Sequence, residues 1–231
     1  MKNDFAASNS PASFAVDHST THSVDVHVTP ALSGRNRLTC AFRVVLAIPH
    51  ILLVGGPAAL AMTLLPRAEH GGIEWGSGTG VLGAVAAVSA IIAWFAIVFA
   101  GSHPQGLWKL SAFYLRWRVR AAAYLALLRD EYPPFEDGSY PATLILSPPD
   151  GTRDRLAVAF RLVLAVPHVV LVWILGFAWA VTTIIAWLSI LLTGNYPATL
   201  YAFGVGVLRW STRVEAYLLL LHDDYPPFSL D

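Results

Sequence analysis

The chain has 231 residues, of which 55% are hydrophobic and only 13% charged, with a formal net charge of zero. Soluble domains carry about 25% charged residues, so this is not the composition of an ordinary water-soluble domain, and no basic stripe supports a nucleic-acid partner. The single cysteine, Cys40, excludes an intrachain disulfide and a cysteine-based metal cage.

Residues 1–22 are polar and mixed, without a basic start followed by an apolar block. They read as a disordered tail and not as a cleaved signal peptide. Val24–Val28 alternates and Ala142–Leu146 is β-prone. A lone strand is unstable, so these two segments are expected to pair. Residues 44–66 and 75–102 contain no Asp, Glu, Lys or Arg. They predict two membrane spans, about 41–65 and 80–101. Pro49 is expected to kink the first, and the polar, glycine-rich segment Pro66–Thr79 to connect them. Residues 104–130 are apolar but cut by central charges. Arg116, Arg120 and Tyr124 fall at i, i+4 and i+8, one helical face. An amphipathic helix in the cytoplasmic interface accommodates them; the alternative is a deeper helix with its arginine face buried against the spans. The segment leaves through Tyr132-Pro-Pro-Phe135, where proline stops the helix.

The second half repeats the first. Arg37, Phe42, Arg43, Leu46, Pro49 and His50 recur 118 residues later as Arg155, Phe160, Arg161, Leu164, Pro167 and His168. Arg116-Trp117, Arg120, Tyr124 and the Tyr-Pro-Pro-Phe exit recur 93 residues later as Arg209-Trp210, Arg213, Tyr217 and Tyr225–Phe228. The change of offset means 25 extra residues between the two spans of the first copy. Residues 23–136 therefore form repeat 1 and 137–231 repeat 2. Residues 162–208 hold no charge over 47 positions. One helix over 157–193 would be about 55 Å long, nearly twice the hydrocarbon core. Two arms, about 157–175 and 177–194, meeting near Gly176 are expected instead, with a re-entrant pair as the alternative, followed by an interfacial helix over about 197–223. Of the fifteen Lys and Arg residues only Arg67 falls between paired spans. That distribution predicts a multi-pass protein of the cytoplasmic membrane with both termini cytoplasmic and two parallel repeats. The predicted fold class is an α-helical integral membrane protein, each repeat a short strand, two transmembrane helices and an amphipathic cytoplasmic-side helix.

Arg43 and His50, and Arg161 and His168, share a helix face two turns apart. With Arg116, Arg120 and Tyr124, or Arg209, Arg213 and Tyr217, they are candidates for one anion- or lipid-binding pocket per copy. The alternative is that His50 bonds a carbonyl freed at Pro49 while the arginines cap helices. Tyr132, Phe135, Tyr225 and Phe228 are candidates for a docking surface. The acidic pairs Asp130-Glu131 and Asp223-Asp224 oppose the helix dipole, which Arg35, Arg37, Arg153 and Arg155 could offset as a salt-bridged ring. Trp94 and Trp187, 93 apart, suit helix packing. No spacing supports a metal site, a cofactor motif or a Ser/His/Asp enzyme.

The doubled pattern Arg-x5-Pro-His, Gly-x2-Pro, Arg-Trp-x2-Arg-x3-Tyr and Tyr-Pro-Pro-Phe resembles an uncharacterised family of small bacterial, chiefly actinobacterial, membrane proteins of unknown function. The resemblance covers roughly residues 24–228. It implies an inner-membrane protein and no activity. The function expected is non-catalytic: an accessory or scaffold protein engaging anionic lipid headgroups or a membrane protein complex. A lipid- or solute-handling transporter using the Arg/His pockets is the alternative, and the two halves need not be equivalent.

Overall fold

The computed structural model describes residues 23–55, 67–69, 72–74, 80–136, 138–149 and 153–231; the expected tail, 1–22, lies outside them. Val26 of strand β1 (Val24–Val28) pairs with Leu144 of strand β4 (Ala142–Leu146) in an antiparallel ribbon. These residues are 118 apart, so the ribbon is centred on the local symmetry of the repeat. Alternation buries Val24, Val26, Val28, Ala142 and Leu144 on one face and turns Asp25, His27, Thr143 and Ile145 outward. The expected strand pairing is present.

Helix α1 (Arg37–Ala41) is capped by the Asn36 side chain, and α5 (Arg155–Ala159), 118 residues later, by Asp154. After α1 comes α2 (Arg43–Val54), a small hairpin of β2 (Arg67–Glu69) and β3 (Gly72–Glu74), and α3 (Gly80–Phe95). Wider π-type turns carry α3 on to Ala100. Helix α4 is Gln105–Leu125, α6 is Arg161–Thr193 and α7 is Ala198–Leu218.

The two arms expected to meet at Gly176 are one helix: α6 runs unbroken through 33 residues, about 50 Å. A glycine inside a helix costs only about 1 kcal/mol, and no polar residue nearby rewards a turn. The first copy holds the same helix in two pieces. By the two offsets, α2 corresponds to 161–172 and residues 80–100 to 173–193, so the 25-residue insertion falls between Val54 and Gly80. A Cβ on Gly80 would lie 2.5 Å from the Leu53 carbonyl carbon, so α3 starts where α2 stops. Helix α4 runs back along both pieces, with Leu107 packed on the cluster that holds Ala93 and Ile97, Trp117 on His50, and Asp130 beside Arg43. The two spans predicted per copy are therefore one line of helix, broken in repeat 1 and continuous in repeat 2.

The core helices of the two repeats run in opposite directions. Helices α4 and α7 pack antiparallel: Trp108 Nε1 donates to the Leu221 carbonyl at 3.0 Å, and Tyr196 Oη to that of Ala126 at 3.5 Å. The short helices exchange across the molecule. Trp187, near the end of α6, donates to the Cys40 carbonyl at 3.1 Å, and Trp94 donates to Val158 at 3.0 Å. Each line of helix thus starts where its twin ends, about a pseudo-twofold perpendicular to the helices.

Helices α4 and α7 are the core, not interfacial helices. Ser111, Ala112, Leu115, Val119, Ala122 and Ala123 are buried, and α7 is buried almost all round from Gly204 to Tyr217. The deeper alternative is the one observed, because internal partners receive the arginines. On α7, Arg209 bonds Val26 of β1, while Val214, about 140° further round, packs on Val172 of α6. Ribbon and α6 thus lie on opposite sides of α7. The outer helices turn only a stripe inward, in α6 Ala165, His168, Val172, Trp179, Ala186 and Ile190. Leu162, Val166, Val170, Phe177, Ile184, Leu188 and Leu192 face out. Residues 80–100 and 161–193 are long and apolar enough to cross a membrane, with mean hydropathies of 2.5 and 2.4.

Candidate functional site

Each half carries a clasp at the C-terminal end of its core helix. Leu127 and Leu220, 93 apart, sit there at φ of 62° and 61°, the left-handed region that costs a non-glycine residue roughly 1 kcal/mol. Arg35 donates to the Leu127 carbonyl at 2.6 Å and Arg153 to that of Leu220 at 3.0 Å. The same arginines pair with acids: Arg35 bonds Asp130 through Nε and Nη2 at 2.8 and 2.7 Å, and Arg153 pairs with Asp223 at 2.7 Å. Arg43 and Arg161 supply the second guanidinium, 2.5 Å from Asp130 and 2.7 Å from Asp223. Their planes cover Tyr124 at 4.0 Å and Tyr217 at 4.3 Å. Burial opposes ionisation of Asp130, but the Arg35 hydrogen bonds and charge hold its carboxyl below the usual range. The expected ring is thus two separate clasps. Arg37 and Arg155 stand elsewhere, over the left-handed Gly194 and Gly101 at the ends of the outer helices.

His50 and His168 sit in aromatic boxes. Trp117 Nε1 donates to His50 Nδ1 at 3.0 Å, and Trp210 to His168 Nδ1 at 3.2 Å. An indole can only donate, so Nδ1 carries the lone pair and Nε2 the proton. Both Nε2 atoms are buried without a partner among the described residues. Phe135 stacks on His50 at 4.8 Å and Phe228 on His168 at 4.0 Å, with Tyr132 and Tyr225 tilted against the same rings. The four aromatics of the Tyr-Pro-Pro-Phe exits are thus spent in part inside their own halves and remain half-exposed. The alternative carbonyl bond for His50 is replaced by the Trp117 contact, while arginine capping is present: Arg43 bonds the Arg129 carbonyl and Arg161 that of His222.

The remaining candidates divide. Arg120 holds the carbonyls of Glu136 and Gly138, both at 2.9 Å. Arg116 is half-buried on α4, and Arg209 bonds the ribbon at 3.0 Å. Arg213 is 3% exposed, and its Nη1 is buried with no hydrogen-bond partner among the described residues. The candidates do not converge on one pocket per copy; they form a clasp, a box and separate contacts to backbone.

One buried group escaped the sequence reading. Arg118 Nε meets Glu215 Oε2 at 2.5 Å, and Tyr114 Oη donates to Glu215 Oε1 at 2.9 Å. Arg118 Nη1 also caps the last carbonyl of α2, Val54, at 2.9 Å. The signal was available: Glu215 is the lone acid in a long apolar stretch, and its repeat counterpart is Ala122.

No curated protein and no solved structure matches the chain. A family profile described as "Domain of unknown function (DUF4389)" matches residues 78–136 and 155–229, one segment in each repeat. These segments contain both core helices, both Tyr-Pro-Pro-Phe exits and all of α6. They cover more than half of the chain, which therefore belongs to the DUF4389 family.

Proposed function

We propose that this chain is a non-catalytic accessory or scaffold protein embedded in the cytoplasmic membrane. The observation that carries the reading is the outer face of α3 and α6. Only 28% of the most apolar stretch of residues 80–100 and 17% of that of α6 is buried, which supports an apolar medium around them. In the proposed pose both outer helices lie along the bilayer, immersed in hydrocarbon, with the pseudo-twofold along the membrane normal. The ribbon then faces water on the cytoplasmic side, and lipid headgroups or a membrane protein complex meet the sides of the core helices. The length of α6, about 50 Å against a core of about 30 Å, supports lying over crossing. So does the ribbon, whose open edges and Asp25 would be costly in hydrocarbon.

A second reading is an upright transporter-like arrangement. The antiparallel core helices favour it, as does the 21-residue run 80–100, which spans about 31 Å. Depth measurement decides between them. Spin labels on single cysteines at positions 166, 177 and 188, in a Cys40→Ala background, are read with lipid-borne relaxation agents. A lying helix gives one depth at all three; an upright helix gives a gradient, and water-like accessibility at all three sinks the membrane reading.

A further inference from the structure

A cavity of about 160 Å³ opens in repeat 2 between the start of β1 and the Tyr225-Pro-Pro exit, lined by Arg213, His222 and Asp224. Its volume is below the roughly 300 Å³ at which drug-sized ligands begin to fit. The same place in repeat 1 is filled. At the offset of 93, the counterpart of His222 is Arg129 and that of Asp224 is Glu131. Arg129 bonds Glu131 through Nε and Nη2 and reaches the Thr29 carbonyl through Nη1 at 2.6 Å. Arg120, the counterpart of Arg213, is occupied by the carbonyls of Glu136 and Gly138.

In repeat 2 a shorter imidazole replaces the Arg129 guanidinium, and the partners are left over. Among the described residues, Arg213 Nη1 and His222 Nδ1 are buried without hydrogen-bond partners, on side chains only 3% exposed. Among the described residues Asp224 makes no ion pair, whereas its twin Glu131 is paired at 2.5 Å. A buried guanidinium edge without an acceptor is costly. An acceptor oxygen arriving from outside would relieve it, and a cation arriving with that oxygen would replace the missing guanidinium at Asp224.

The geometry points to a binding site for a small zwitterionic group, with a phosphate or carboxylate oxygen on Arg213 and an ammonium on Asp224. Ethanolamine phosphate has this chemistry, either free or as the headgroup of phosphatidylethanolamine. The lipid source rests on the proposed membrane pose, in which the cavity lies between the immersed α6 and the ribbon, at headgroup level.

The test uses the full chain in detergent micelles. Native mass spectrometry follows retention from an equal mixture of phosphatidylethanolamine and phosphatidylglycerol, and calorimetry follows titration with O-phosphoethanolamine. Preferential retention of phosphatidylethanolamine is expected, weakened about tenfold or more in His222→Arg and in Asp224→Asn. His222→Arg restores the residue of repeat 1 and fills the cavity, and Asp224 is exposed, so both variants should keep the wild-type melting temperature. Binding of O-phosphoethanolamine without lipid preference assigns a soluble ligand to the site; lipid preference with a silent titration assigns the lipid. Equal retention by wild type and His222→Arg, or loss of both signals from the wild type, overturns the site. An unchanged Asp224→Asn overturns its ammonium half. A chain that alkaline carbonate washes off membranes yet binds O-phosphoethanolamine keeps this site and loses the membrane reading; carbonate-resistant protein without headgroup preference does the reverse.

Discussion

At Val54 the first half of the molecule stops and restarts at Gly80, whereas at Val172 the second half continues straight into Trp173. The difference shows what an insertion in a helix demands. A broken helix exposes carbonyls that have lost their next-turn donors. Arg118 supplies a donor to Val54, and Glu215 then neutralises the buried guanidinium. Where the helix is whole no cap is needed, and the counterparts are Ser211 and Ala122.

The sharpest way to break this comparison is to impose the residues of one half on the other. Arg118→Ser leaves the buried Glu215 without its counter-charge, held by Tyr114 alone, and should cost about 3–5 kcal/mol in denaturant unfolding from micelles. Adding Glu215→Ala should recover most of that loss; a double variant as weak as the single would sever the link between the two residues. Deleting residues 55–79 in the double variant should return one continuous helix and a fold at least as stable.

Smaller tests follow. Burial pushes the His222 imidazole down from 6.5 to about 4. The unfolded chain binds more protons than the folded one between those values, so stability should fall as pH drops through that window, by about 3 kcal/mol. In His222→Arg this part of the slope should vanish, since arginine, the residue of repeat 1 at this place, does not titrate there. Asp130→Asn and Asp223→Asn should each cost about 2 kcal/mol, because each leaves two guanidinium groups short of an acceptor while its own side chain is partly solvated. The Asp130 contribution is full above its unfolded value of 3.8 and is lost as pH falls through its lower folded value. A twofold difference between the clasps would show that the halves do not share the strain at Leu127 and Leu220 equally. Trp117→Phe and Trp210→Phe should each lose about 1 kcal/mol with the indole hydrogen bond, read as a drop in melting temperature.

Much of this was legible in the chain. The offset of 118 gave the strand pair, because Val26 and Leu144 meet across the ribbon. The basic residues ahead of each long helix foretold the acid contacts of Arg35 and Arg153, and the matched Trp94 and Trp187 foretold helix packing. Direction was not legible. A repeat reads identically whether its copies run together or opposed, and only contacts such as Trp187 with Cys40 separate the two. Burial of α4 and α7 was hidden for a related reason: arginines mark a helix as superficial until their acids and carbonyls are known, and Glu215 is 97 residues from Arg118.

The crossed seating of α1 and α5 makes the halves interdependent. A half severed within residues 137–152 would carry a long helix whose end lacks the small helix that caps it, and a small helix with nowhere to rest. Two such fragments, made as separate polypeptides, could satisfy one another only by trading those pieces, as a domain-swapped pair does. The tandem chain is in this sense a dimer written on one polypeptide, and its linker spares the halves the search for each other.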